Sequence, residues 1–163
     1  MKKMLLCLLV VASFLSVPVS AISEEQEVLI KKHCDAIKDD LKTVQYADSR
    51  ARVYLGRHYE TILSKYITPL NMRLVENNLS DNALIDNQDN FAKARSVFII
   101  DFIEYQKALE ELVSVNCKTE PGKFYDDLVV VRGKRKAVAN DVTTLKRLIN
   151  EQIKLSTKLK EKL

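Results

Sequence analysis

Apolar residues recur three or four positions apart along most of the chain, with charged residues between them. The first such run has alternating spacings of four and three, which place its members on one side of an α-helix. Ser23 and Gln26 precede it with the spacing of a capping box, so a first helix is predicted to begin there. The inward positions of this helix are Ile30, Cys34, Ile37, Leu41 and Val44.

A second helix is predicted to begin near Asp48. Its inward positions are Leu55, Tyr59, Ile62 and Tyr66. Pro69 lacks a backbone donor and clashes with the preceding turn, so the helix should kink or break there. It is expected to resume and to end at about Asn77.

Two further helices follow a polar connection that spans residues 77–89. Helix three is predicted from about Asn87 to Asn116, and helix four from the turn at residues 118–123 to Leu163. At 1.5 Å per residue helix four would be about 60 Å long, so residues 150–163 are expected to project beyond the bundle. The inward residues are Ala94, Phe98, Phe102, Tyr105, Leu109 and Leu112 on helix three, and Leu128, Val131, Val138, Val142, Leu145 and Ile149 on helix four.

The predicted fold is all-α, an antiparallel bundle of three to four long helices formed by residues 22–163 as a single domain. The chain has 163 residues with only three glycines and three prolines, a composition that favours long helices with few turns.

Residues 1–21 have the three parts of a secretory signal peptide. Lys2 and Lys3 are followed by an apolar run, then by Pro18 and a small-residue site that ends at Ala21. The sequence therefore predicts a signal-peptide helix that is cleaved after Ala21, and a mature protein that is secreted or periplasmic. The alternative is a leader kept as an anchor, because the apolar run is just short of the ~18–20 residues that span a bilayer.

The mature chain has two cysteines, Cys34 and Cys117, which predict one disulfide in an oxidising compartment. Cys34 follows His33, but neighbouring residues on a helix do not face each other, so this pair does not predict a thiol enzyme. Neither residue belongs to a zinc-binding spacing. With four helices, the first and third would run parallel, while Cys34 lies near the start of helix one and Cys117 at the end of helix three. The disulfide would therefore require helix three to start well before the level at which helix one starts.

No motif predicts a catalytic site, a metal site or a cofactor, and the expectation is a protein that is not an enzyme. An enzyme of unfamiliar type would need a cavity lined by His58, Tyr59 and Tyr66. The tyrosines of the second helix, Tyr54 among them, could form a recognition face with nearby arginines. Their seam spacing favours the simpler reading, in which Tyr59 and Tyr66 fill the core.

Charge divides the mature chain, since residues 22–131 have a net charge of −5 and residues 132–163 a net charge of +7. This asymmetry predicts a contact with a protein or an anionic envelope surface. Basic residues without interleaved aromatic residues do not predict nucleic-acid binding. The candidate contacts are Arg132, Lys134, Arg135, Lys136, Lys154 and Lys158.

The expected function is that of an exported, non-enzymatic binding module. The leader, length and helix content also resemble those of small helical chaperones of the bacterial envelope, which implies an alternative role as a holdase for unfolded exported proteins. Such a role predicts an exposed apolar groove. Asn78, Leu79 and Ser80 form a glycosylation sequon.

Overall fold

A computed structural model describes residues 22–79 and 81–161. The predicted signal peptide and Ser80 of the sequon lie outside the described residues. The helices are α1 (Glu24–Thr61), α2 (Thr68–Glu76), α3 (Asn82–Ser114) and α4 (Pro121–Lys160), and a π-helical segment (Ile62–Ile67) joins α1 to α2. The described residues contain no strand, so the all-α prediction is confirmed. Within them, no helix is both long enough and apolar enough to cross a membrane.

α1 begins at the predicted capping box, in which Ser23 Oγ accepts from Gln26 N at 3.2 Å and Gln26 Oε1 accepts from Ser23 N at 3.1 Å. No new helix begins at Asp48, so that prediction is wrong. Asp48 lies in the middle of α1, and its carboxylate accepts hydrogen bonds from Tyr105 and Arg135 instead of capping a helix. The first two predicted helices are therefore one.

The irregularity predicted at Pro69 takes the form of the π-helical segment, which lies just before it. Thr68 N donates to Leu63 O, five residues back, and Pro69, which has no N–H to donate, follows in the first turn of α2. The wider turn accommodates the proline ring, and the chain stays helical from Glu24 to Glu76.

The connection between α2 and α3 is much shorter than predicted. Asn78 adopts a left-handed conformation, with φ of 57°, and Leu79 N donates to Leu74 O, which closes the helix as a Schellman motif. Asp81 Oδ1 then accepts from Ala83 N at 2.8 Å, so α3 begins at Asn82 rather than near Asn87.

The described helices form a three-helix bundle in which α3 runs antiparallel to α1. Residues further along α1 contact residues earlier in α3, since Asp48 pairs with Tyr105 and Glu60 with Arg95, and Asn71 of α2 continues the series with Leu84. α4 then returns alongside both helices. This topology also brings Cys34 level with Cys117, so the predicted downward offset of helix three is unnecessary.

The core is built around aromatic residues of α3, of which Phe98, Phe102 and Tyr105 belong to the predicted inward stripe and Phe91 does not. Phe91, Phe98, Phe102 and Tyr105 are buried, and each ring packs edge-on against another. Tyr59 is the aromatic contribution of α1, and its ring centroid lies 5.4 Å from that of Phe98. The backbones of α3 and α4 approach each other along more of their length than either approaches α1.

The C-terminal part of α4 is packed further than expected. Gln152 is buried, and its Oε1 accepts from Asn87 Nδ2 at 2.8 Å. Leu155, Ser156 and Leu159 are partly buried, whereas Lys154 and Lys158 are exposed. The region from residue 150 therefore has one side against the bundle and one basic side exposed.

Candidate functional site

The two cysteines of the described chain form the predicted disulfide. The Cα atoms of Cys34 and Cys117 are 5.6 Å apart, and both residues are buried. Lys38 Nζ donates to Val115 O at 3.1 Å beside them. His33 is exposed, on a different side of α1 from Cys34. Cys34 is therefore a buried half of a cross-link between α1 and the segment after α3, and it does not face His33.

The tyrosines discussed for a recognition face are divided between core and surface. Tyr59 is 4% exposed, but Tyr66 is 67% exposed, so the prediction that Tyr66 fills the core is wrong. Tyr54 and His58 are also exposed and stack with parallel rings, whose centroids are 6.1 Å apart. Tyr59, Tyr66 and His58 consequently do not line one cavity.

Five basic residues share one exposed side of α4, which we call the basic face of α4. At 3.6 residues per turn they fall within about 80° of one another around the helix axis and extend over about 39 Å. Glu151 is the acidic residue beside them, and its Oε2 lies 3.1 Å from Nη1 of Arg147, one of the five. The residues of the basic face are Arg132, Lys136, Arg147, Lys154 and Lys158.

Two of the six predicted contacts do not belong to this face. Lys134 turns towards α3, where its Nζ lies 2.8 Å from Glu104 Oε2 and the resulting hydrogen bond lowers the pKa of Glu104. Arg135 turns towards α1, where its Nε donates to Asp48 Oδ2 at 3.1 Å. Both charges are used inside the molecule, so the structure brings together Arg132, Lys136, Lys154 and Lys158.

Arg147 is the member of the basic face that the sequence analysis missed. It is exposed and lies eleven residues after Lys136 and seven before Lys154, and both intervals return to the same side of a helix. The signal for Arg147 is therefore present in the helical spacing, although Arg147 lies apart from the basic cluster at residues 132–136.

A cleft of about 500 Å³ adjoins the start of the basic face, between α1 and α4. Arg132 and Lys136 contribute to its lining, together with the apolar side chains of Ala51, Phe102 and Val138. The cleft therefore combines an apolar wall with two exposed positive charges.

Three polar side chains that also line this cleft connect all three helices of the bundle. Tyr105 Oη donates to Asp48 Oδ2 at 2.6 Å, and the guanidinium of Arg135 contacts both carboxylate oxygens of Asp48. Burial is the largest cause of the raised pKa of Tyr105, and the hydrogen bond to Asp48 raises this pKa further. The hydrogen bond to Asp48 also raises the pKa of Arg135. Tyr105 thus stays protonated and Arg135 charged, which suits hydrogen bonding and anion attraction rather than proton transfer.

A carboxyl pair lies on the other side of α4, where Asp141 faces Asp101 of α3. Burial raises the pKa of Asp141 above its usual 3.8, and the charge of Asp101 and a hydrogen bond to it raise it further. The native state therefore binds this proton more tightly than the unfolded chain does. The resulting stabilisation is present at low pH and is lost as the pH rises through the raised pKa.

We therefore expect Asp141→Asn to stabilise the protein at pH 7, because the amide removes the repulsion between the two carboxylates. The gain should be below about 1 kcal/mol, since the site is partly hydrated. Urea unfolding at neutral and acidic pH measures it, and the gain should shrink as the pH approaches 3.8, where the wild-type carboxyl is protonated. A gain of the same size at both pH values would contradict this assignment.

Within residues 22–79 and 81–161, no group of three or more His, Cys, Asp or Glu side chains is placed to hold a metal ion. The basic face and the adjoining cleft supply polar groups that could hold an anion. Comparison of the chain with models of known families, with curated proteins and with solved structures returned no match.

Proposed function

We propose that this protein is an exported, non-enzymatic helical bundle that binds an anionic surface through the basic face of α4. The observation that carries the proposal is the alignment of five exposed basic side chains on one side of a single long helix. Between Leu128 and Lys160 the only acidic residues are Asp141, which faces α3, and Glu151. A negatively charged surface would therefore meet little opposing charge.

The shape of the basic face favours an extended surface over a single small ligand. Its cations lie in a row about 39 Å long on the exposed side of one helix, so only a flat or extended anion can contact all of them together. Each such residue near an anionic lipid surface contributes about 1 kcal/mol at physiological salt. The five together would give a salt-dependent attachment that does not require insertion.

Export is part of the same proposal and is supported by the leader pattern and the disulfide. Buried disulfides persist in oxidising compartments and are rare in the cytosol. An anionic surface within such a compartment would be available to the basic face.

The test is the binding of the purified protein to vesicles that contain anionic phospholipid. Replacing Lys136, Lys154 and Lys158 together with glutamine removes three of the five charges. At about 1 kcal/mol for each residue, the affinity should fall by about two orders of magnitude. Binding of the unaltered protein should also weaken steeply as the salt concentration is raised.

A matched control replaces the same number of exposed lysines elsewhere, namely Lys65, Lys93 and Lys107, with glutamine. It changes the net charge equally but leaves the basic face intact, so it should retain most of the affinity. Equal losses in the two variants would show that net charge alone drives the binding, and salt-independent binding would exclude the electrostatic mechanism.

The holdase alternative remains a prediction with a different readout. The exposed apolar residues Val97, Ile100 and Ile103 follow one another on the outer side of α3, and they are the contiguous apolar surface that a client could contact. Suppression of the aggregation of an unfolded client, lost when these residues are changed to serine, would favour the holdase.

A further inference from the structure

The side of α1 that points away from the bundle exposes an unusual combination of aromatic and arginine side chains. Tyr46, Val53 and Tyr54 occur within nine residues of sequence, and their exposed fractions are 67%, 53% and 69%. With Arg50 and Arg57 they border a shallow depression of about 450 Å³. Tyrosine and arginine are the residue types that most often carry the binding energy of protein interfaces.

Contacts within α1 hold these side chains close to the helix surface. The guanidinium carbon of Arg50 lies 5.8 Å from the ring centroid of Tyr46, and the ring of Tyr54 stacks on that of His58. Arg50 and Arg57 form no ion pair with the carboxylates of the described residues. The two nearby acids are used elsewhere, since Asp48 faces the cleft and Glu60 pairs with Arg95.

The same side of α1 changes the sign of its charge along its length. Towards the N-terminus it presents Asp35 and Asp39, which are exposed and make only surface ion pairs, with Lys118 and Lys42. Surface pairs of this kind contribute little stability and exchange partners readily. Towards the C-terminus it presents Arg50 and Arg57. We call the side formed by Asp39, Lys42, Tyr46, Arg50, Val53, Tyr54 and Arg57 the outer face of α1.

We propose that the outer face of α1 binds the same face of a second copy of this chain, with the two helices antiparallel. Reversing one copy places Asp39 opposite Arg57 of the second copy, and the two-fold axis gives this ion pair twice. A two-fold interface requires a surface that is complementary to itself, and the charge reversal along α1 provides one.

The same alignment gives favourable contacts nearer the axis. Lys42 comes opposite Tyr54 of the second copy, and Tyr46 comes opposite Arg50 of the second copy. Both pairs can form cation–π contacts. The paired segments extend over about 27 Å of helix, a modest interface, so the dimer should be weak and sensitive to salt.

This inference does not depend on the proposed surface binding, because it concerns α1 and not the basic face of α4. Sedimentation equilibrium of the full chain over a range of protein concentrations tests it. The unaltered protein should form a reversible dimer. Arg57→Asp places two pairs of like charges across the axis and should weaken the dimer by at least about tenfold.

The decisive variant combines Arg57→Asp with Asp39→Arg, which restores opposite charges across the axis. Its dimer should be within about threefold of the unaltered one, because surface charge pairs of the same kind are re-formed. Asp40→Arg is the matched control for Asp39→Arg. It makes the same substitution one residue along, on another side of α1, and should leave the dimer intact. A protein that is monomeric throughout, or a double variant that is not rescued, would refute the proposal.

Discussion

Removing the Cys34–Cys117 disulfide is expected to lower the free energy of unfolding by about 4–5 kcal/mol. The two residues are 83 positions apart, so the bond closes a loop that contains most of α1, all of α2 and all of α3. Without it the unfolded chain gains the entropy of that loop, whereas the native helices are already held by their own packing. Few single changes to this protein should cost as much.

Urea unfolding of the oxidised protein and of a Cys34→Ala/Cys117→Ala variant measures this difference. The free energy of unfolding should fall more steeply with urea concentration for the variant, because its unfolded state is more expanded. Reductant should shift the oxidised protein towards the variant, although slowly under native conditions, since both cysteines are buried. The variant itself should not respond to reductant. A difference below about 1 kcal/mol would show that native strain cancels the entropy gain.

The parts of the fold that sequence predicted correctly are those governed by local pattern. The capping box at Ser23 needs only residues within one turn, and the inward stripe of α3 follows from helical spacing alone. The disulfide between Cys34 and Cys117 was predictable because residues 22–163 contain no third cysteine.

The topology could not be predicted because its signals are ambiguous at short range. Aspartate favours a helix N-terminus and also serves as an acceptor for a buried phenol, and only the position of Tyr105 on another helix shows which role Asp48 has. The helix start predicted near Asp48 divides α1 in two and reverses the direction of every later helix. Pro69 likewise marks an irregularity, but the sequence does not distinguish a break from a wider turn.

The candidate site was predictable in composition but not in arrangement. The excess of basic residues after residue 131 is visible in the sequence, yet the pairing of Lys134 with Glu104 and of Arg135 with Asp48 depends on which side of α4 meets each neighbour. Five consecutive residues on a helix point in all directions, so the cluster at residues 132–136 is divided between three surfaces.

The second large effect is expected at Phe98, where Phe98→Ala should destabilise the protein by about 3–5 kcal/mol. Its side chain is fully buried, and its ring packs edge-on against Tyr59 of α1 and against Phe102, with centroids 5.4 and 5.5 Å away. Truncation removes both aromatic contacts and leaves a cavity that the rigid α3–α4 pair cannot close. Urea unfolding measures the loss.

The loss of stability should not be distributed evenly along the chain, because α1 is less closely packed than α3 and α4. Hydrogen exchange should show that amides of α1 around Tyr59 lose more protection than those of α4, while the disulfide still holds the N-terminal part of α1. Ile100→Ala, two residues along on the exposed side of α3, is the matched control and should change stability by less than about 0.5 kcal/mol. Equal costs at the two positions would mean that Phe98 does not face α1 and that the position of α1 would have to be reassigned.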